Sequence, residues 1–328
     1  MLISKTPYRI SFFGGGSDYP NFYKKYGGSV LSATIDKHIY ITARFLPKFW
    51  KHKYRIVWSK IEEVESISQI KHPVVNKLLK YLKINEGLEI HYDGDLPAGS
   101  GMGSSSCFTV GLMNALLNLK KIKLSKKKLS DKSIFFEQNI MKEAVGSQDQ
   151  IASSFGGFNK INFNKNGKIK IKKIKLSKNL KILNKNLILI YTGIKRNAHD
   201  IAKEYINKVS KSKKKYIDNI KNYVEQGEKI LNSGDIDDFG RLLDEAWQEK
   251  KKLSNLISNK DIDYLYDQTI KHGALGGKLL GAGGGGFLLM YMKKKYQKKF
   301  FKKYRKIQHV SFDFSDSGSQ IIFNNLVR

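Results

Sequence analysis

The residues best suited to chemistry in this chain form a loop of small side chains, LPAGSGMGSSS, from Leu96 to Ser106. An apolar stretch from Cys107 to Leu119 follows directly and is long enough for a buried helix. The backbone N–H groups of such a loop, with the N-terminus of the helix, can hold phosphate oxygens. The loop lacks the Gly-Lys-Ser/Thr end of a P-loop, and it is not GxGxxG within a parallel βαβ unit. It indicates a phosphate site of another kind, although tight turns alone also require glycine.

Strands and helices must position this loop, and the pattern predicts strands before it and helices after it. The predicted strands cover Tyr8 to Phe13, His38 to Phe45 and Leu88 to Tyr92. A further helix is predicted from about Lys126 to Lys142, with Ser125 as its N-cap.

The segment KIKIKKIKL, from Lys168 to Leu176, alternates as a strand with one lysine face, and we place a domain boundary just before it. The predicted domains are residues 1–165 and 166–328. The second half contains a strand at Leu187 to Tyr191, polar helices over about 198–271 and a glycine cluster, GGKLLGAGGGGFLLMY. Without regular βαβ alternation, the order of elements favours an α+β fold.

Three segments together resemble the signatures of the GHMP kinases, and they occur in the order of that family. These are PYRISFFGGGSDYP from Pro7 to Pro20, the PAGSGMGSSS loop, and GGKLLGAGGGGFLL from Gly276 to Leu289. The resemblance implies an N-terminal ribosomal-protein-S5-like domain that binds ATP and a C-terminal ferredoxin-like α/β-sandwich domain. It also implies transfer of phosphate from ATP to a hydroxyl group, with Mg²⁺.

The resemblance assigns roles to individual residues. Asp149 would orient and deprotonate the acceptor hydroxyl, and Arg9 would polarise the acceptor oxygen and the phosphate in flight. Ser105 and Glu137 would hold Mg²⁺, with Ser104 and Glu143 as alternatives. An N-cap role for Asp149 or Ser105 is the competing interpretation.

The remaining expected contacts fall into two groups. The nucleotide phosphates would be bound by Pro97, Gly99, Ser100, Gly101, Gly103, Ser104, Ser105 and Ser106. The acceptor would be bound by Gly15, Gly16, Ser17, Asp18, Gly283 and Gly284. Asp18 would accept hydrogen bonds from two sugar hydroxyls, although an Asx turn explains it equally. Lys278 could contact phosphate or lie on the surface.

Within this family, KEAVGSQDQIASSFGGFN and LIYTGIKRNAHDIA resemble most the bacterial heptose 7-phosphate kinases, which phosphorylate the anomeric hydroxyl. Such a substrate needs a second anion site, for which Lys195 and Arg196, with His199, are the candidates. The alternatives are a kinase of another sugar, such as fucose or galactose, and a catalytically silent sensor of sugar and ATP.

The formal net charge of +31 raises the question of nucleic-acid binding. The excess is mostly lysine spread over the chain, and no zinc-finger, helix-turn-helix or RNP pattern accompanies it. We therefore expect small-molecule partners and neither nucleic acid nor membrane. The lone Cys107 and the lack of a leader or an apolar span favour the cytoplasm. The oligomeric state stays open.

Overall fold

The computed structural model describes residues 1–175, 177–194 and 211–325, which form two β-sheets with helices packed against them. The larger sheet has eight strands and the smaller has four. In chain order the strands are β1 Leu2–Phe13, β2 Gly28–Phe45, β3 Tyr54–Val57, β4 Ile61–Val64, β5 Leu88–Gly94, β6 Phe158–Phe163, β7 Ile169–Lys173, β8 Leu187–Tyr191, β9 Ala274–Leu279, β10 Phe287–Met292, β11 His309–Val310 and β12 Gln320–Asn324.

Helices connect these strands and cover the sheets. They are α1 Pro20–Tyr26, α2 Pro73–Tyr81, α3 Ser104–Leu119, α4 Lys126–Phe135, α5 Gln148–Phe155, α6 Lys178–Asn186, α7 Lys211–Ser233, α8 Ile236–Lys251, α9 Lys260–Lys271 and α10 Lys294–Lys303. A short 3₁₀ turn covers Ile67–Gln69, and a π-helical turn covers Phe136–Ile140. Across the described part of the chain, no helix combines the length and the apolar character needed to cross a bilayer.

The long strand β2 organises the larger sheet, whose main order is β12-β1-β2-β5-β3-β4. Its first part, Gly28 to Ala33, pairs with β6, and its last part, Ile39 to Phe45, pairs with β5. The strand β1 runs antiparallel to β2. The loop after β1 and the loop after β5 therefore both leave the same group of neighbouring strands.

The helix α3 forms the centre of the larger core and is buried on almost every side, as an all-round apolar helix must be. It packs against β1 and β2. Gly111 permits the close approach, because a Cβ there would lie 2.8 Å from Thr6 Oγ1. The Ser4 hydroxyl donates to the Gly111 carbonyl at 3.0 Å. The middle of α3 is thereby held against β1.

The smaller sheet is antiparallel, in the order β11-β8-β10-β9, and α8 packs against β9. A Cβ at Gly276 would lie 2.1 Å from the Gly240 carbonyl oxygen, so only glycine allows this contact. The mixture of strands and helices without regular βαβ alternation confirms the α+β prediction.

The expected domain boundary before residue 166 needs correction. It would cut the β6–β7 hairpin, in which β7 pairs with β6 in the larger sheet. Ile169 and Ile171 of β7 pack against a small cluster that includes Ile161 and Phe163, so the apolar face of β7 belongs to the first unit. The strand β12 also returns to pair with β1. We propose that the first unit extends through Lys173 and includes the last strand.

Candidate active site

A cavity of about 640 Å³ opens between the two units. The loops that follow β1 and β9, the loops that precede α3 and α5, and the helices α7 and α8 all contribute to its wall. Its volume suits a small-molecule ligand. Each glycine-rich segment that stood out in the sequence contributes at least one residue to this wall.

The loop before α3 is built from glycines with positive φ. Gly99, Gly101 and Gly103 have φ of 71°, 81° and 73°. A Cβ at Gly101 would lie 2.5 Å from the Leu280 carbonyl oxygen, so this loop packs directly on the loop after β9. Gly103 is the N-cap of α3, and no side chain caps the helix. The helix N-terminus therefore keeps its N–H groups for an anion.

The predicted phosphate-binding residues divide into two groups. Six of them line the cavity: Gly99, Gly101, Gly103, Ser104, Ser105 and Ser106. Pro97 is exposed and Ser100 is buried behind the wall, and neither lines the cavity. The Ser100 carbonyl instead accepts a hydrogen bond from the Phe287 N–H at 3.2 Å, which joins the two loops.

Arg9 and Asp149 form a two-armed ion pair at the cavity wall. Arg9 Nε and Nη2 donate to the two carboxylate oxygens of Asp149 at 2.6 and 2.7 Å. Arg9 Nη1 donates to the Gly101 carbonyl at 2.8 Å. The guanidinium is 5% exposed, so this geometry is shielded from water. The structure thus brings the two predicted catalytic residues together beneath the glycine loop.

Asp18 lies in the loop after β1 and is buried at the same wall. Its Oδ1 accepts from the Gly16 N–H at 3.0 Å, and its Oδ2 accepts from the Gln148 N–H at 3.2 Å. Burial, and then the Asp149 carboxylate, raise the pKa of Asp18 to about 6. A Cβ at Gly146 would lie 1.9 Å from Asp18 Oδ2, so glycine is required there.

The other residues predicted around Asp18 differ in position. Gly15 and Gly16 line the cavity. Ser17 is buried behind it and donates to the Gly14 and Ser29 carbonyls at 2.7 and 3.0 Å. These bonds give Ser17 a role in shaping the loop, and its role in substrate binding stays a prediction.

The serine beside Glu137 is Ser106, whereas the sequence analysis paired Glu137 with Ser105. Ser106 Oγ donates to Glu137 Oε2 at 2.8 Å, and Gln150 Nε2 donates to the same oxygen. Ser105 is exposed. Successive side chains on a helix point about 100° apart, so the start of α3 at Ser104 turns Ser105 away from Glu137.

Glu137 lies in the π-helical turn Phe136–Ile140. This turn ends two residues before Lys142, where the predicted helix was expected to end. Burial raises the pKa of the Glu137 carboxyl to about 7. Within the described ranges, Glu137 Oε1 is buried without a hydrogen-bond partner. Glu143, the alternative carboxylate, lines the cavity itself.

These residues fit a hydrated Mg²⁺ better than a metal enclosed by protein. In the described part of the chain, no group of three or more His, Cys, Asp or Glu side chains could hold a metal. Mg²⁺ takes hard oxygen ligands and keeps several waters, so one hydroxyl and one carboxylate suffice. The Ser106 hydroxyl and the unpartnered oxygen of Glu137 are such a pair.

Two glycines of the third glycine cluster do not line the cavity as predicted. A Cβ at Gly283 would lie 2.6 Å from Ile257 Cα, and the Gly284 N–H donates to the Ile257 carbonyl at 2.7 Å. Gly281 and Ala282 line the cavity in their place. Gly283 and Gly284 therefore anchor the loop from behind.

Lys195, Arg196 and His199, the candidates for a second anion site, lie outside the described residues. The cavity wall also contains polar residues to which the sequence analysis gave no definite role, among them Ser11, Gln148, Lys250 and Lys278. Ser11 could have been found, since it lies two residues after Arg9 on a strand and so shares its face. Lys250 had no local signal, because only the packing of α8 brings it to the wall.

Profiles of one protein family match both halves of the chain. The GHMP kinases N terminal domain matches residues 68–157, and the GHMP kinases C terminal domain matches residues 228–307. Together they cover about half of the chain.

The chain is also similar to individual sugar kinases. The chain is 28% identical to the D-glycero-alpha-D-manno-heptose 7-phosphate kinase of Campylobacter jejuni, over 95% of each chain. It is 26% identical to the galactokinase of Pyrococcus furiosus, over 85% of each. The crystal structure of a D-glycero-D-manno-heptose 1-phosphate kinase from Bacteroides thetaiotaomicron superposes with a TM-score of 0.80 at 23% identity, covering 99% of this chain and all of that one.

Proposed function

The chain belongs to the GHMP kinase family, and on that premise we propose that it phosphorylates the anomeric hydroxyl of D-glycero-D-manno-heptose 7-phosphate. The product would be the 1,7-bisphosphate, a precursor of GDP-heptose for surface glycans. Members of this family are ATP-dependent kinases that act on hydroxyl groups. The placement of Asp18 and Asp149 in one cavity beside the glycine loop carries the assignment of a sugar acceptor. The similarity to the Campylobacter enzyme over nearly its whole length favours the heptose.

The donor nucleotide would lie against the loop before α3. The N–H groups of the loop and of the uncapped helix N-terminus would hold the ATP phosphates. Ser106 and Glu137 would hold Mg²⁺, which when bound neutralises part of the phosphate charge. Glu137 must be ionised for this role, because a protonated carboxyl is a poor cation ligand.

Asp149 is positioned to serve as the base. The hydroxyl proton of the acceptor passes to the Asp149 carboxylate while the acceptor oxygen forms a bond to the γ-phosphorus. The bond between the γ-phosphorus and the β–γ bridging oxygen breaks, and ADP leaves. Arg9 fixes both carboxylate oxygens of Asp149, so the base has one orientation.

Asp18 would recognise the sugar. An ionised carboxylate can accept hydrogen bonds from two neighbouring hydroxyls of the acceptor. The Gly16 and Gln148 N–H groups hold the carboxylate in place. Its raised pKa means that recognition needs a pH above about 6.

The distal phosphate of the heptose would be held by Lys195 and Arg196, which follow the apolar strand β8 in the sequence. A kinase of fucose or galactose would need no such contact. In a matched pair, Arg196→Ala should raise the KM for a phosphorylated sugar at least about tenfold, and Arg305→Ala should leave it unchanged.

The test is an ADP-release assay with Mg·ATP and a panel of acceptors: heptose 7-phosphate, heptose 1-phosphate, mannose 6-phosphate, free heptose, fucose and galactose. We expect turnover with heptose 7-phosphate and at most weak turnover with the others. Faster turnover with a free sugar would contradict the distal phosphate site and leave a GHMP sugar kinase. Binding of ATP and sugar without turnover would instead favour the sensor.

A further inference from the structure

Lys278 is a buried lysine at the cavity wall that has no part in the mechanism above. It lies on β9, in the smaller sheet, and only 5% of it is exposed. Its Nζ donates to the Phe12 carbonyl at 2.6 Å, near the end of β1 in the larger sheet. The side chain therefore reaches from the smaller sheet to the larger one, close to the start of the loop after β1 that contains Asp18.

The surroundings of Lys278 leave its charge poorly compensated. An ammonium group has three N–H donors, and within the described ranges one acceptor, the Phe12 carbonyl, is seen for them. A buried ammonium without an anionic partner is costly. Burial, and then the Arg9 guanidinium, lower the pKa of Lys278 to about 7.

The charged groups at the wall come from several elements and include Lys142 and Glu143, between the π-helical turn and α5. Arg9 lies on β1, Asp18 in the loop after it, Asp149 on α5 and Lys250 on α8. The carboxylates of Asp18 and Asp149 already have partners, since Asp149 is bound by Arg9 and Asp18 by two backbone N–H groups. The residue opposite Lys278 on the neighbouring strand β10 is Leu289, which has no titratable group. An added anion would therefore find an incompletely bonded cation at Lys278.

We propose that Lys278 binds the phosphoryl group in transit and gains a proton when a phosphate occupies the cavity. The proposal rests on the function above only in that a phosphoryl group passes through this cavity. Arg9 and Lys278 then approach it from the larger and the smaller sheet, respectively, so transfer requires both units. The Phe12 carbonyl holds the ammonium before the phosphate arrives.

Two variants separate this role from a structural one. Lys278→Met keeps much of the volume and removes the charge, and such a replacement of a buried ion is often neutral or stabilising. We expect kcat to fall by about 100-fold, with little change in the KM for the sugar, because Lys278 contacts the phosphoryl group and not the sugar. Lys278→Arg should recover part of kcat. Lys271→Met, at an exposed lysine in the last turn of α9, is the matched control.

The decisive readout is proton uptake, which a merely structural lysine would not produce. Calorimetric titration with Mg·AMPPNP in buffers of different ionisation enthalpy gives the protons taken up per nucleotide. At a pH of about 7 the wild type should take up about half a proton more than Lys278→Met. Equal uptake in the two proteins overturns the proposal, even if Lys278→Met is slow. The titration needs no sugar, so it is independent of the acceptor assignment.

Discussion

Asp18 and Asp149 lie near enough for the charge of Asp149 to contribute to the raised pKa of Asp18, which is about 6. In the proposed function, the ionised form of Asp18 accepts hydrogen bonds from sugar hydroxyls. We therefore predict that kcat/KM for the sugar rises as the pH rises from about 5 to about 7. A pH profile at saturating Mg·ATP measures this, with thermal unfolding at each pH as the control. A flat profile over this range would exclude Asp18 from recognition.

A matched pair of alanine variants tests whether Ser106 or Ser105 is the metal ligand. Ser106 contacts Glu137, whereas Ser105 is exposed. We predict that Ser106→Ala raises the Mg²⁺ concentration needed for half-maximal activity at least about tenfold, because the variant lacks one of the two proposed metal ligands. Ser105→Ala should change it by less than about threefold. The opposite order would restore Ser105 as the ligand.

Asp149→Asn tests the base. We predict that kcat falls at least about 100-fold, since the amide cannot accept the proton. Nucleotide affinity, measured by calorimetry with AMPPNP, should stay nearly unchanged, because the glycine loop is intact. Asp131→Asn, at an exposed residue paired with Lys127, is the control. A normal kcat in Asp149→Asn would remove the residue from catalysis.

For individual residues, most of the cavity wall could be predicted from the sequence, because each glycine segment is continuous and holds its residues close together. The differences between prediction and structure concern two things: the direction in which a side chain points from its helix, and whether a residue faces the cavity or the protein behind it. The position at which α3 starts decides whether Ser105 or Ser106 meets Glu137, and Gly103 in the left-handed region sets that start. Ser17 faces the protein because Gly14 and Ser29 accept its hydroxyl, and Gly283 does so because it packs on Ile257; neither contact shows in the local pattern.

Among the structural elements, the two glycine loops matter most because they pack on each other. The Cβ of an alanine at Gly101 would lie 2.5 Å from the Leu280 carbonyl oxygen. Gly167, in the β6–β7 turn, has the same φ of 81° with no atom near its Cβ position. An alanine at either site would have an unfavourable left-handed backbone conformation. Only at Gly101 would its Cβ also clash with a neighbouring atom.

The variants Gly101→Ala and Gly167→Ala should separate these effects. We predict that both lower the free energy of unfolding by about 1 kcal/mol through φ alone. Gly101→Ala should lower it further and reduce activity at least about tenfold, because the loop must move away from Leu280. Denaturant unfolding and the ADP-release assay measure the two quantities. Equal activity in the two variants would contradict the interlocking of the loops.

The predicted elements were found where side-chain alternation is strong. The strand Leu187–Tyr191 has the predicted bounds, and Ser125 caps α4 by accepting from the Lys128 N–H. The strand β2 begins at Gly28, ten residues earlier than predicted, because its buried Ser and Thr side chains hide the pattern. Phe45, at the end of β2, is 38% exposed.

The whole molecule joins two sheets around one cavity, with the last strand returning to the first sheet. The α+β class could be predicted from the order of the strands and helices, and the family from three ordered motifs. The strand order could not, because β12 pairs with β1 across nearly the whole chain and β7 looks like the start of a new unit. Such pairings depend on tertiary contacts that local patterns do not record.

The net charge of +31 also acts at this scale. A strongly positive molecule attracts anionic substrates such as ATP and a sugar phosphate, and salt screens this attraction. The cavity wall is more balanced, because it contains three carboxylates, Asp18, Glu143 and Asp149, and four cationic side chains, Arg9, Lys142, Lys250 and Lys278. We therefore expect the net charge to speed the encounter with such substrates and the cavity side chains to select among them.

The most direct test of the central claim is ³¹P NMR of the product formed from heptose 7-phosphate and Mg·ATP. Our account predicts a new phosphomonoester signal coupled to the anomeric proton, beside the unchanged signal of the 7-phosphate, with one ADP formed for each. A new phosphate at any other hydroxyl, or no product under conditions in which a free sugar or heptose 1-phosphate is consumed, would contradict it.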